Sequence, residues 1–213
     1  MSRRVAASFV FAYIAIQTFQ EIVFRILGEP SDAAGELQQG PAPLNLARAS
    51  LMLVSFFGLA FAYLVVCAHD RARRPLASAA ACLALLAFCL LEIGLRSVEL
   101  FWAYIGLPDE FARAPAIALD KMATFQAIQA ALYIPLMLSK LLGSAILAVG
   151  FPRTPRRNLL VVGSMGIDAA RLACRLAGTL LHISALDVLS GPLYLPLVVV
   201  TNLPLAIWLW REA

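Results

Sequence analysis

Charge is scarce in this chain of 213 residues. Asp, Glu, Lys and Arg make up 14% of it, where a soluble domain has about 25%. A soluble helical bundle needs charged outer faces, and this chain lacks the residues to build them. Cysteine is sparse too. Cys67, Cys82, Cys89 and Cys174 form no CxxC pair, so a thiolate metal or redox centre is not expected, and they read as small apolar packing residues. Histidine occurs twice, at His69 and His182. The topology read below puts these two near opposite faces, where they cannot share a metal. No metal site and no cofactor are expected. The Gly-rich phosphate loop of the Walker type is missing as well, which excludes a primary pump driven by nucleotide.

What the chain has in abundance is apolar length. Hydrophobic residues make up 62% of it and the mean hydropathy is +0.83. Apolar stretches of about 20 residues, enough to cross a bilayer, recur throughout. The predicted fold class is therefore all-α: a polytopic membrane protein with a single integral membrane domain over 1–213 and six transmembrane helices. The spans run roughly over Val5–Leu27, Ala47–Ala68, Leu76–Leu107, Met122–Gly150, Leu159–Leu181 and Val188–Trp210. The third and fourth exceed the minimum crossing length, so they tilt or project from the bilayer. The first span follows Arg3 and Arg4 as a signal peptide would. It carries Glu21 and Arg25 and has no small-residue cleavage site, so it reads as a retained helix. The longest polar connection is "GEPSDAAGELQQGPAP", residues 28–43.

Orientation follows from the arginines. Arg3 and Arg4, the loop with Arg71, Arg73 and Arg74, the loop with Arg153, Arg156 and Arg157, and Arg211 all fall on alternate connections. The other connections carry Glu29, Asp32 and Glu36, or mix Asp109, Glu110, Arg113, Asp120 and Lys121. The positive-inside rule then places both termini in the cytoplasm. The formal net charge of +4 has its source in these arginines, so no nucleic-acid partner is implied; membrane lipids are the expected surroundings. Trp208, Trp210 and Trp102 suit interfacial belts.

Ionisable residues inside the apolar spans carry the functional signal. The first span has Gln17, Glu21 and Arg25 on one face. The third, "LLEIGLRSVELF", has Glu92, Arg96 and Glu99 within a sector of roughly 60°. The fifth has Asp168, Arg171 and Arg175 along one side. A charge at a helix centre costs about 2.5–3.5 kcal/mol even on the lenient insertion scale. These residues are therefore expected to face the bundle interior. Glu21, Glu92, Glu99 and Asp168 balance Arg25, Arg96, Arg171 and Arg175, which predicts one shared cluster. Within it, Arg96 is expected to contact an acid of another helix, Glu21 or Asp168. The fourth span adds Gln126, Gln129, Tyr133 and Lys140. Gly166, Ala170, Cys174 and Gly178 make a small-residue stripe suited to close helix approach.

The length, the six-span layout, Arg96-Ser-Val-Glu99 and the ending "LPLAIWLWREA" resemble the bacterial membrane proteins grouped as domain of unknown function 4386. The likeness runs over nearly the whole chain. It implies a multi-pass protein of the bacterial inner membrane with Arg96 and Glu99 at its site, and it implies no activity. Members of that family often have an acid in the last helix, about where this chain has Asn202.

Two functions and a purely structural role fit these residues. The first is a binding or transport protein holding a small anionic or amphipathic ligand in an outward-leaning cavity. Its arginine forks would serve as anion receptors. The second is a membrane-embedded enzyme acting on a lipid or isoprenoid, with Glu92, Glu99 or Asp168 as general acid or base. The third is a buried charge network that only sets helix register. A retinal pigment does not fit six spans with their one mid-span lysine in the fourth.

Overall fold

Prolines mark where the long helices begin. Pro43, Pro75 and Pro115 each occupy the first turn, where the missing N–H is no loss and the fixed φ suits the helix. A computed structural model of the chain describes residues 2–28, 30, 32–183, 185–186 and 191–211. Its helices are α1 (Ser2–Leu27), α2 (Ala33–Gln39), α3 (Pro43–Asp70), α4 (Pro75–Ser97), α5 (Leu107–Arg113), α6 (Pro115–Gly150), α7 (Leu159–Leu181) and α8 (Tyr194–Arg211). Between α4 and α5, Val98–Gly106 winds as a π-helix. No strand occurs among the described residues. The sixth span was predicted from Val188, which lies outside the described residues, as does Glu29; the helix is present from Tyr194.

Five helical segments are long and apolar enough to cross a membrane: α1, α3, the continuous run Pro75–Arg113, α6 and α8. The sixth long helix, α7, carries Asp168, Arg171 and Arg175 along its middle. The long helices pack in sequence order, α1–α3–α4–α6–α7–α8, and α8 closes the ring on α1. Neighbours run antiparallel. Gln17 meets Met52, while Phe9 lies against Gly58. Phe88 reaches Phe56 and Lys140, Ser144 bonds Asp168, Asn158 bonds Trp208, and Phe11 meets Trp210. The start of α1 and the end of α8 consequently lie at one end of the bundle.

That end is packed solid. Ala6, Val10, Ala62, Val66, Ala81, Leu85, Leu147, Phe151, Val161, Leu205 and Trp208 are buried in one contiguous core. His69 stacks on Phe151 and meets the edge of Trp208 at 5.1 Å. Trp208 belongs to this plug: it is fully buried and donates its indole N–H to Asn158 Oδ1 at 3.0 Å. Trp208, expected in an interfacial belt, turns its ring into the bundle and away from the outer surface, where it seals the helix ends. Trp210 and Trp102 are exposed on the bundle surface.

Close helix approach occurs at two glycines. A Cβ on Gly58 would lie 2.8 Å from Phe9, and one on Gly143 would lie 2.5 Å from Leu85. The stripe predicted for this purpose is used at one end only: a Cβ on the buried Gly178 would lie 2.9 Å from Leu186, beyond the end of α7, whereas Ala170 and Cys174 face outward and Gly166 has only a loose contact with Ala148. The reason is rotational: α7 turns Asp168 and Arg171 inward, which sends Ala170 and Cys174 to the outer face.

At the opposite end, α6 has 36 residues, about 54 Å of helix, so it outruns a hydrocarbon core of about 30 Å. Its first turns, α5, the π-helix and α2 gather there. Leu37, Ala49, Leu100, Tyr104, Leu107, Met122 and Phe125 form a second small core. The connection 28–43 is thus partly ordered. Asp32 caps α2 by accepting from Gly35 N–H at 2.7 Å, and Leu37 pins the helix down.

Candidate functional site

Inside the ring, above the plug, lies a cavity of about 650 Å³ with lining from all six long helices. Its size falls within the roughly 300–1,000 Å³ of small-molecule sites. Part of the lining is apolar and aromatic, with Phe24, Met52, Phe56, Phe88 and Met137 among its residues. Part is charged, and the two intermix, since Lys140 Nζ lies 5.0 Å from the Phe88 ring centre. Glu92 and Arg96 project from α4, Lys140 from α6, and Arg171 and Arg175 from α7; Glu21 and Arg25 stand on α1. The charged residues predicted on the first, third and fifth spans do meet at one cavity, except Glu99 and Asp168, which sit in its wall.

The pairing differs from the expected one. Among the described residues Arg96 contacts no acid of another long helix. Its Nη1 lies 2.6 Å from Glu99 Oε2, and its Nε lies 3.4 Å from Glu92 Oε2, both on its own chain segment. Glu21 and Arg25 pair with each other at 3.2 Å, with the Arg25 side chain 78% exposed, so they belong to the rim. They cannot compensate groups in the interior. Instead of one cluster there are two, facing each other across the cavity.

The first cluster depends on a residue that pattern reading missed. Arg48 of α3 is buried, with its side chain 2% exposed. It donates from Nε to Asn45 Oδ1 at 2.8 Å and from Nη1 to Gln20 Oε1 at 3.4 Å. Its Nη2 reaches Glu99 Oε1 and the Tyr104 hydroxyl, each at 3.2 Å. Tyr104 in turn donates to Glu99 Oε1 at 2.8 Å. Glu99 and Tyr104 are five residues apart, which in an α-helix would place them roughly 140° from each other. The π-helix runs its bonds from i to i+5 and stacks such pairs on one side. This backbone choice is what lets one carboxylate hold Arg48, Arg96 and Tyr104 together. The Tyr104 hydroxyl also lies 3.4 Å from Glu36 of α2, whose other oxygen accepts from Gln126 at 2.9 Å. Through these contacts the outer helix α2 is tied to the intramembrane charges.

The second cluster centres on Asp168. Its Oδ1 lies 2.7 Å from Arg171 Nη2 and 3.3 Å from Lys140 Nζ, and its Oδ2 accepts from Ser144 at 2.9 Å. Lys140 therefore has its carboxylate on α7. Arg175, one turn beyond Arg171, has no carboxylate in contact among the described residues; its guanidinium sits 5.2 Å from the Tyr133 ring centre. Asn202 donates within its own helix to the Val198 carbonyl and to Thr201 Oγ1, and it is buried away from the cavity lining.

Arg171 Nε, Arg171 Nη1 and Arg175 Nε are buried without a hydrogen-bond partner in the protein, and Arg96 Nε and Glu92 Oε2 face each other at 3.4 Å, beyond good hydrogen-bond geometry. Among the described residues no group of His, Cys, Asp and Glu is arranged to hold a metal ion. No family model, no curated protein and no solved structure matches the chain, so the resemblance to domain of unknown function 4386 rests on its motifs alone.

Proposed function

We propose that this protein is a multi-pass membrane protein that binds a small anionic amphipath in its central cavity. One observation carries the reading: Arg96, Arg171 and Arg175 line the cavity together with Phe24, Phe56 and Phe88, and Arg175 has no carboxylate in contact among the described residues. An anionic head would pair with the arginine forks, and the aromatic and methionine residues would cover an apolar tail. The enzyme reading gains less support. Glu99 and Asp168 each touch two cations and Glu92 touches one, which favours fixed carboxylates over a carboxyl that exchanges protons.

In this reading α7 is the sixth crossing, with its charges turned to the ring interior. The grouping of Arg3, Arg4, Arg71, Arg73, Arg74, Arg153, Arg156, Arg157 and Arg211 at the plugged end supports cytoplasmic termini under the positive-inside rule. The cavity then leans toward the outer leaflet of a bacterial inner membrane. The test is binding to the purified protein in lipid nanodiscs, comparing dodecanoate with dodecanol. Binding of the acid but not the alcohol is expected, and its loss in Arg171→Gln. Equal binding of acid and alcohol would refute the reading.

A further inference from the structure

The cavity charges are not balanced, and the imbalance has a location. Within the ring of long helices, Arg25, Arg48, Arg96, Lys140, Arg171 and Arg175 stand against Glu21, Glu92, Glu99 and Asp168. On the α4 side the groups cancel: Glu92 and Glu99 face Arg96 and Arg48. At the rim Glu21 cancels Arg25. Among the described residues the surplus falls on α6 and α7. There Lys140 and Arg171 share the carboxylate of Asp168, and Arg175 packs on Tyr133 with no described carboxylate in contact. Glu36 is bound to Tyr104 and Gln126 outside the ring.

A surplus of two positive charges within a low-dielectric interior is costly unless a counter-charge of the same size occupies the site. Lys140, Arg171 and Arg175 all line the cavity, Arg171 and Arg175 from successive turns of α7. Three cations on one lining match a tetrahedral oxyanion having three terminal oxygens better than they match one carboxylate. A phosphate monoester carries about −1.5 to −2 charges at neutral pH and has those three acceptor oxygens. A phosphodiester has one charge and two such oxygens.

Resting on the anionic-amphipath reading above, we propose that the preferred ligand is a phosphate monoester of an apolar alcohol. Its dianionic head lies between Arg171, Arg175 and Lys140, and its chain lies along Phe24, Phe56 and Phe88. Free phosphate shares the head chemistry and lacks the chain.

The experiment measures affinities in nanodiscs for dodecyl phosphate, methyl dodecyl phosphate, dodecanoate and inorganic phosphate. Dodecyl phosphate is expected to bind at least about tenfold more tightly than its methyl diester or dodecanoate, because a second charge acts on the lining cations. Inorganic phosphate is expected to bind weakly, since the apolar part of the lining goes unused. Equal affinity for monoester, diester and carboxylate would overturn the dianion inference while leaving an anion site in place. Tighter binding of inorganic phosphate than of dodecyl phosphate would overturn the role of the chain. If none of the four binds, both proposals fall. Arg175→Gln removes one charge of the surplus without stranding a carboxylate. It should lower the affinity for dodecyl phosphate by more than that for dodecanoate and so erase the monoester preference; a preference retained in that variant refutes the charge count.

Discussion

Replacing Arg48 with methionine tests whether the α3–α4 charge network holds the bundle. Methionine keeps much of the apolar stem and deletes the guanidinium. The loss comprises donors to Asn45, Gln20, Glu99 and Tyr104 and the stacking on Phe24 at 4.8 Å. Breaking a buried ion pair from one side costs about 3–5 kcal/mol. Glu99 would keep Arg96 at 2.6 Å and Tyr104 at 2.8 Å, so it is only partly stranded, and the lower end of that range, about 3 kcal/mol, is expected. Adding Glu99→Gln removes the stranded charge. Arg96 still has Glu92 at 3.4 Å, so the double variant should recover to within about 1–2 kcal/mol of the parent, a coupling of the size found for residues in one network. The assay is unfolding in mixed micelles followed by circular dichroism for the parent, both single variants and the double variant. A cost below about 1 kcal/mol for Arg48→Met, or simple additivity of the two changes, would refute the argument.

Three more outcomes are expected. Gly143→Ala should lower stability by about 1–3 kcal/mol through overpacking, since its Cβ would meet Leu85 at 2.5 Å and the Ala81 carbonyl at 3.1 Å; Gly94→Ala, with nothing within 4 Å, should be neutral or slightly stabilising, and melting temperatures separate the two. Asp168→Asn leaves Lys140 and Arg171 without a carboxylate and should destabilise by about 3–5 kcal/mol; Lys140→Met in the same chain should restore part of that loss, as read by micelle unfolding. A periplasm-dependent reporter fused after Ala213 should be inactive; an active fusion would reverse the proposed topology and turn the cavity inward.

What the chain determines without its tertiary structure is the set of long helices and which residues are too polar for lipid. Helix bounds are legible because burial of backbone in an apolar phase admits little besides helix, and Leu159–Leu181 lies where the hydropathy puts it. Glu92, Arg96, Arg171 and Arg175 are legible as cavity residues because each sits on a helix face with other charges. Which charge pairs with which is a matter of the tertiary structure. Arg48 stands alone on α3 near its start, so no periodicity flags it, yet the antiparallel packing of α3 on α4 delivers it to Glu99. Lys140 finds Asp168 across α6 and α7 for the same reason. The π-helix at Val98–Gly106 changes the angular step along the chain, so the face shared by Glu99 and Tyr104 cannot be counted at about 100° per residue. Periodicity reports which side of a helix is polar. Only the rotation, register and winding of packed helices decide where each charge ends, because ion pairs form over a few ångströms and neighbouring helices set those distances.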